Sequence, residues 1–222
     1  MLLLVVLSMS VAALPLEPLA AQSTTKILPL GDSITESYAG HASYRYWLWQ
    51  KLVDGAYNTD FVGSMTGVYN GKPLYANFDQ NHEGHWGWRA NQILAQINTW
   101  ASSARPDVAL IHLGTNDIFQ KQSNTSTINE IEQIIDALRR TNPKIKILLA
   151  KLIPSTYMAT KIQNFNSLIP SLARQKNTSK SPVIVVDQST GFNAMSDTWD
   201  GTHPNESGEK KMANKWYKAL IR

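Results

Sequence analysis

At 222 residues, 43% hydrophobic and 17% charged, the chain has the balance of a folded globular protein with room for a proper core, which excludes a disordered or low-complexity chain. The formal charge of +4 comes from scattered lysines and arginines rather than a basic stripe, which gives nucleic-acid binding little support. The absence of cysteine excludes disulfide staples, a thiol nucleophile and a thiolate metal site.

Residues Met1 to Leu14 (MLLLVVLSMSVAAL) are apolar and uncharged, followed by Pro15, Pro18, Ala20 and Ala21. That is the shape of a secretory signal, too short to span a bilayer comfortably. The expectation is a signal peptide over residues 1–21, cut near Ala21 or alternatively after Ala13, and a single domain over residues 22–222. An uncleaved anchor is the competing reading. The mature protein is expected to be secreted, extracellular and free of the membrane. Sequons at Asn124, Asn177 and Asn205 would carry N-glycans in a eukaryotic host.

In chain order, Lys26 to Leu30 is a predicted strand and Tyr44 to Val53 (YRYWLWQKLV) an amphipathic helix; Thr59 to Val62 is a second, short strand. Gly63 to Gly87 has no clear period and exceeds the usual connection, which points to a functional loop holding a short strand near Asn77 to Asn81. Ala90 to Trp100 is a predicted helix and Val108 to Leu113 an apolar strand. Ile128, Ile131, Ile134, Ile135 and Leu138 mark one face of a helix over Ile128 to Arg140. The run from Lys144 (KIKILLAKLI) is the fourth strand, Ile162 to Arg174 a helix, Pro182 to Asp187 the fifth strand, and Pro204 to Ile221 the last helix. Continuously apolar strands alternating with helices indicate an α/β fold with a five-stranded parallel sheet covered on both faces, a three-layer α/β/α sandwich. Sites in such sheets form at the carboxyl ends of the strands. Gly31, Asp32 and Ser33 end the first strand; Gly114 to Asp117 (GTND) end the third.

A serine nucleophile needs a base, a carboxylate to orient it, and donors for the oxyanion. Of five histidines, His112 lies in an apolar strand, as a core histidine would, and His41 in a loop. His203 follows Asp200 by three residues in WDGTHPNESG, a spacing at which a turn brings carboxylate and imidazole face to face, with Pro204 suited to the first turn of the helix that follows. The Ser33 N–H and a glycine of GHWGWRA supply backbone donors, Gly87 preferred over Gly84 because it leads into the next helix, and Asn116 adds an amide donor. Asp32 braces the turn rather than serving as the acid.

With GDSITE at Gly31, Gly87, GTND at Gly114 and DGTH at Asp200 in this order, the chain resembles the SGNH, or GDSL-type, hydrolases. The resemblance implies their flavodoxin-like fold, Ser33 as nucleophile with Asp200 and His203 completing the triad, an oxyanion hole from Ser33, Gly87 and Asn116, and no cofactor. HEGHWGWRANQI, PDVALIHLGTNDI, FNSLIP and DGTHPNESGEKKMANKWY look like carbohydrate esterase family three, secreted acetylxylan esterases. The substrate this implies is an acetylated polysaccharide or oligosaccharide.

Rival readings remain at this point. HEGH (His82 to His85) is not HExxH and has no evident third ligand, so no metal is expected. Trp47, Trp49, Trp100 and Trp216 fit helix packing, whereas Trp86, Trp88 and Trp199 flank the site and would either line a sugar or support the loop. A broad short-chain esterase, a lipase, and a carbohydrate-binding protein without chemistry are the alternatives.

Overall fold

The computed structural model describes residues 23–222; the expected signal peptide lies outside the described residues. β1 (Thr25–Gly31) leads through α1 (Ser33–Glu36) and α2 (Ser43–Asp54) to β2 (Thr59–Phe61), β3 (Met65–Thr66) and β4 (Asn81–Gly84). α3 (Ala90–Ala104), β5 (Val108–His112), α4 (Thr115–Phe119), α5 (Asn124–Thr141) and β6 (Lys146–Lys151) follow. α6 (Ala159–Asn166), α7 (Ile169–Lys176), β7 (Val183–Asp187), α8 (Ala194–Asp197) and α9 (Glu206–Leu220) close the chain. No helix among the described residues is long and apolar enough to cross a membrane.

The strands are apolar without alternation because both sheet faces are covered. Along β5, Val108 and Leu110 join the core beneath α2 and α9, with Tyr44, Leu48, Met212 and Trp216, whereas Ala109 and Ile111 join Ile93, Ile97, Ile131 and Ile134 of α3 and α5. That is the two-residue period of a strand with each side turned to a different layer. Burial of each Leu or Ile contributes about 1.5–3 kcal/mol, so the two helix layers hold the sheet more firmly than helix propensity does.

The sheet runs β4-β1-β5-β6-β7, with every neighbouring pair in this run parallel, and β3 lies antiparallel outside β4. β2 pairs with Thr25 to Ile27 on the edge of β1 that β4 takes further along, at Leu30 and Gly31. The first sheet position is therefore split between β2 and β4. Counted by position the order is 2-1-3-4-5, the flavodoxin-like order, whose switch point falls beside β1. The expected architecture holds, with seven strands in place of five because of this split and the small β3. The strand expected near Asn77 to Asn81 lies at Asn81–Gly84, where the open edge of β1 offers partners.

Two helix boundaries differ from expectation. The single helix over Ile162 to Arg174 is two, because Pro170 has no N–H for the Asn166 carbonyl and its ring would clash there; Pro170 instead sits in the first turn of α7. Pro204 lies outside α9, bridged to Thr198, and Asn205 is the cap, its Oδ1 accepting from the Gly208 N–H at 3.2 Å. The Asn205 Nδ2, which a glycan would need, donates to the Ser196 and Thr198 carbonyls. Asn124 opens α5 on the surface, and Asn177 follows α7 with its Oδ1 accepting from Val183 N–H.

Candidate active site

β1 ends in a tight turn because Asp32 caps the short helix after it: its Oδ1 accepts from the Ile34 N–H at 3.0 Å. Ser33 is thereby the first residue of α1, at the carboxyl end of a central strand. Asp32 is fully buried, and burial pushes its carboxyl up to about 7, unlike an ionised triad acid. Bracing the turn is what its geometry shows.

The 198–204 loop closes on itself through the Thr198–Pro204 bridge and the Trp199 N–H donating to the His203 carbonyl. Within it, Asp200 Oδ1 accepts from the backbone N–H groups of Thr202 at 2.9 Å and His203 at 2.7 Å. Asp200 Oδ2 lies 2.6 Å from His203 Nδ1, and His203 Nε2 lies 2.9 Å from Ser33 Oγ. Partial burial pushes the Asp200 carboxyl up, but the hydrogen bonds from His203 and Thr202 outweigh it and hold the group below the usual carboxylate range. An ionised carboxylate only accepts, so Nδ1 carries the proton and Nε2 is left to accept from the Ser33 hydroxyl. This string can withdraw the serine proton as the oxygen attacks a carbonyl.

Three donors named from the sequence for an oxyanion keep an unused N–H among the described residues. The backbone N–H groups of Ser33 and Gly87 make no hydrogen bond among the described residues. Gly87 has φ +78°, a left-handed conformation that suits glycine. Asn116, in the first turn of α4, gives one amide N–H to the Trp88 carbonyl at 3.0 Å and keeps its second. Gly84 is excluded as the donor of this group: it belongs to β4, its N–H goes to His82 Nδ1, and a Cβ there would lie 2.5 Å from the Glu36 nitrogen.

Aromatic rings frame the histidine. Trp86 stacks on His203 with centroids 4.7 Å apart at 12°, and Trp199 stacks on it at 5.3 Å and 18°. Tyr69 stacks on Trp86, His41 on Trp199, and Tyr38 touches both tryptophans. Trp199 and Tyr69 remain exposed. Trp88 does not join them: it packs on His85 and Trp100 against the α3 side of the core, so of the three flanking tryptophans it is set apart as a supporting residue. The cavity bounded by Ser33, Ile34, Tyr38, Trp86, Trp199 and His203 is about 10 Å³, room for about one water. A larger cavity of about 580 Å³ opens beside Lys151 and Asp187, but no member of the serine string lines it.

HEGH is structural. His85 Nε2 meets Glu83 Oε1 at 2.7 Å, and Glu83 also accepts from the Ser64 N–H and hydroxyl. Burial holds the His82 imidazole well below its ordinary range. His112 is buried, held near 4 by burial, and accepts from the Ile153 N–H. Asp117 of GTND is buried and accepts from the Ala90 N–H, fixing the start of α3. Arg45 carried no signal in the sequence beyond its place in an amphipathic helix. It is fully buried and donates to the carbonyls of Thr35, Glu36, Gly67 and Gln80, tying the 63–81 loop to α1.

The strand order, with Ser33 at the end of β1, defines a protein of the SGNH hydrolase fold. Residues 30–211 match the GDSL-like Lipase/Acylhydrolase family, and the chain belongs to that family. A solved acetyl esterase, a serine-to-alanine mutant with an acetate ion, is 32% identical with a TM-score of 0.82, over 89% of this chain and 97% of that one. A carbohydrate esterase of family 3 from Talaromyces cellulolyticus is 33% identical with the same TM-score and the same coverage of both chains. A multidomain esterase of Ruminococcus flavefaciens is 30% identical across 96% of this chain, which spans about a third (31%) of that relative's length.

Proposed function

We propose that the protein is a secreted serine esterase that removes acetyl groups from acetylated plant polysaccharide, acetylxylan, through an acetyl-enzyme on Ser33. The observation that carries the reading is the string Ser33 Oγ, His203 Nε2, His203 Nδ1, Asp200 Oδ2, with separations of 2.9 Å and 2.6 Å at its two hydrogen bonds. Likeness to an acetyl esterase and to a family 3 carbohydrate esterase supports the substrate class. The small cavity beside Ser33 supports a short acyl group, and the exposed faces of Trp199 and Tyr69 offer a sugar an apolar surface.

In the first half-reaction His203 takes the Ser33 proton as Oγ attacks the acetyl carbonyl. The N–H groups of Ser33 and Gly87 and the free amide N–H of Asn116 hold the oxyanion. Collapse expels the sugar oxygen, which receives the proton from His203. His203 then activates water, which attacks the acetyl-serine and releases acetate, returning Ser33 and His203 to their starting forms. Asp200 keeps the imidazole in the required tautomer and stabilises the imidazolium.

The test is hydrolysis of acetyl, butyryl and long-acyl esters beside acetylated xylan, with Ser33→Ala as control. Acetyl preference with release of acetate from the polymer is expected. Preference for long chains would point to a lipase, and full activity in Ser33→Ala would remove the nucleophile.

A further inference from the structure

Glu36, the last residue of α1, is buried, yet its carboxylate takes no part in the serine string. Its Oε2 accepts from the Trp86 backbone N–H at 2.6 Å, across fifty residues of sequence. Trp86 is the ring stacked on His203, and the next residue is Gly87. The other backbone donor, Ser33 N–H, sits at the opposite end of the same one-turn helix. The Glu36 carbonyl is itself gripped by Arg45 Nη2 at 3.0 Å, so this end of α1 is anchored. The 85–89 segment is tied to its surroundings at His85, Gly87 and Trp88, but among the described residues Glu36 gives its only hydrogen bond to α1.

We propose that Glu36 is a positioning residue: its carboxylate sets the spacing between the two backbone donors of the oxyanion site, Ser33 N–H and Gly87 N–H. The inference rests on the esterase reading above. The hydrogen bond is short and partly buried, and it pins the Trp86 N–H, one peptide ahead of the Gly87 N–H, against the end of α1. A donor misplaced by about 1 Å costs on the order of 100-fold in rate, and the loss falls on the step in which the oxyanion forms. Ground-state binding of an ester, whose carbonyl carries little charge, is much less affected.

The experiment compares Glu36→Met, similar in length without a strong acceptor, with Glu36→Gln, which keeps an acceptor, on an aryl acetate over a full concentration range, each variant checked by thermal melting. Glu36→Met is expected to lose about 100-fold in kcat with KM unchanged, and Glu36→Gln to recover most of it. A folded Glu36→Met with wild-type kcat, a loss confined to KM, or a Gln variant no better than Met overturns the inference. Should Glu36→Met fail to fold, Glu36→Asp decides, because its carboxylate stops one methylene short: reduced kcat supports the proposal and wild-type kcat overturns it. Ser33→Ala runs alongside. Activity surviving there overturns the esterase reading and this inference with it, whereas an inactive Ser33→Ala beside a fully active Glu36→Met overturns only this one.

Discussion

Replacing Arg45 with methionine should cost about 3 kcal/mol, although the residue touches none of the reacting groups. Its guanidinium donates to Thr35 and Glu36 at 2.9 and 3.0 Å in the buried interior, and to Gln80 and Gly67 at 2.7 and 2.5 Å nearer the surface. Burial lowers its pKa only to about 10, so the group is charged at neutral pH. Methionine fills much of the stem and leaves the Thr35 and Glu36 carbonyls without a partner, at about 1–3 kcal/mol each. The Gly67 and Gln80 carbonyls can turn to water. Relief of the guanidinium's own desolvation offsets part of the total, which brings about 4 kcal/mol down to about 3. For a chain of this size that is a fall of about 6–12 °C in Tm. Because Thr35 and Glu36 belong to the helix that Ser33 begins, kcat on an aryl acetate should fall as well. Arg45→Lys should recover less than half of the loss, since an ammonium cannot reach four carbonyls held in a fork. Denaturant and thermal melts with limited proteolysis of the 63–81 loop are the assay. A loss below about 1 kcal/mol, well under the cost of two orphaned carbonyls, would refute the reasoning.

Asp32 predicts a pH dependence. Its folded carboxyl is raised to about 7 by burial, so the folded state holds the proton more tightly and native stability falls as pH rises from about 4 through 7. Asp32→Asn keeps the Oδ1 acceptor for Ile34 N–H and removes the titration; relative to the parent it should gain steadily over that window and level off above it. Equal midpoints at pH 5 and pH 8 would contradict the assignment. The two glycines of GHWGWRA should also separate. A Cβ on Gly87 meets nothing within 4 Å, so Gly87→Ala should fold with about 1–2 kcal/mol of left-handed strain, whereas Gly84→Ala drives a Cβ into the Glu36 backbone and should lose about 1–3 kcal/mol by forcing α1 from β4. Melting curves for the two proteins, beside kcat for Gly87→Ala, check both.

Legibility followed the range of the forces involved. Val108 to Leu113 announced a buried strand because the run is apolar on both faces, and β5 occupies Val108–His112. A short strand was expected near Asn77 to Asn81, but its place at Asn81–Gly84 was not legible, since the edge of β1 sets it, and α1, α4 and α8 are too short for a helical period to show. Pro170 was a visible stop sign that the periodicity of Ile162 to Arg174 concealed. Asp200 and His203 could be paired from the sequence because one local loop sets their geometry, the partners standing three positions apart.

Trp86 and Trp88 illustrate the opposite case. They are near-identical in sequence context, yet Gly87 with φ +78° stands between them, and one ring lies on His203 while the other lies on His85. Glu36 and Arg45 likewise looked like ordinary polar residues, because their partners lie far along the chain or on backbone carbonyls that carry no sequence signal. Hydrophobic pattern and local turn chemistry were enough to name the chemical groups available and the strand ends that carry them. Which N–H groups stay free, which rings meet the imidazole and which buried charges hold the loops were decided only by tertiary structure, because side-chain direction depends on backbone dihedrals and on partners brought together by the fold.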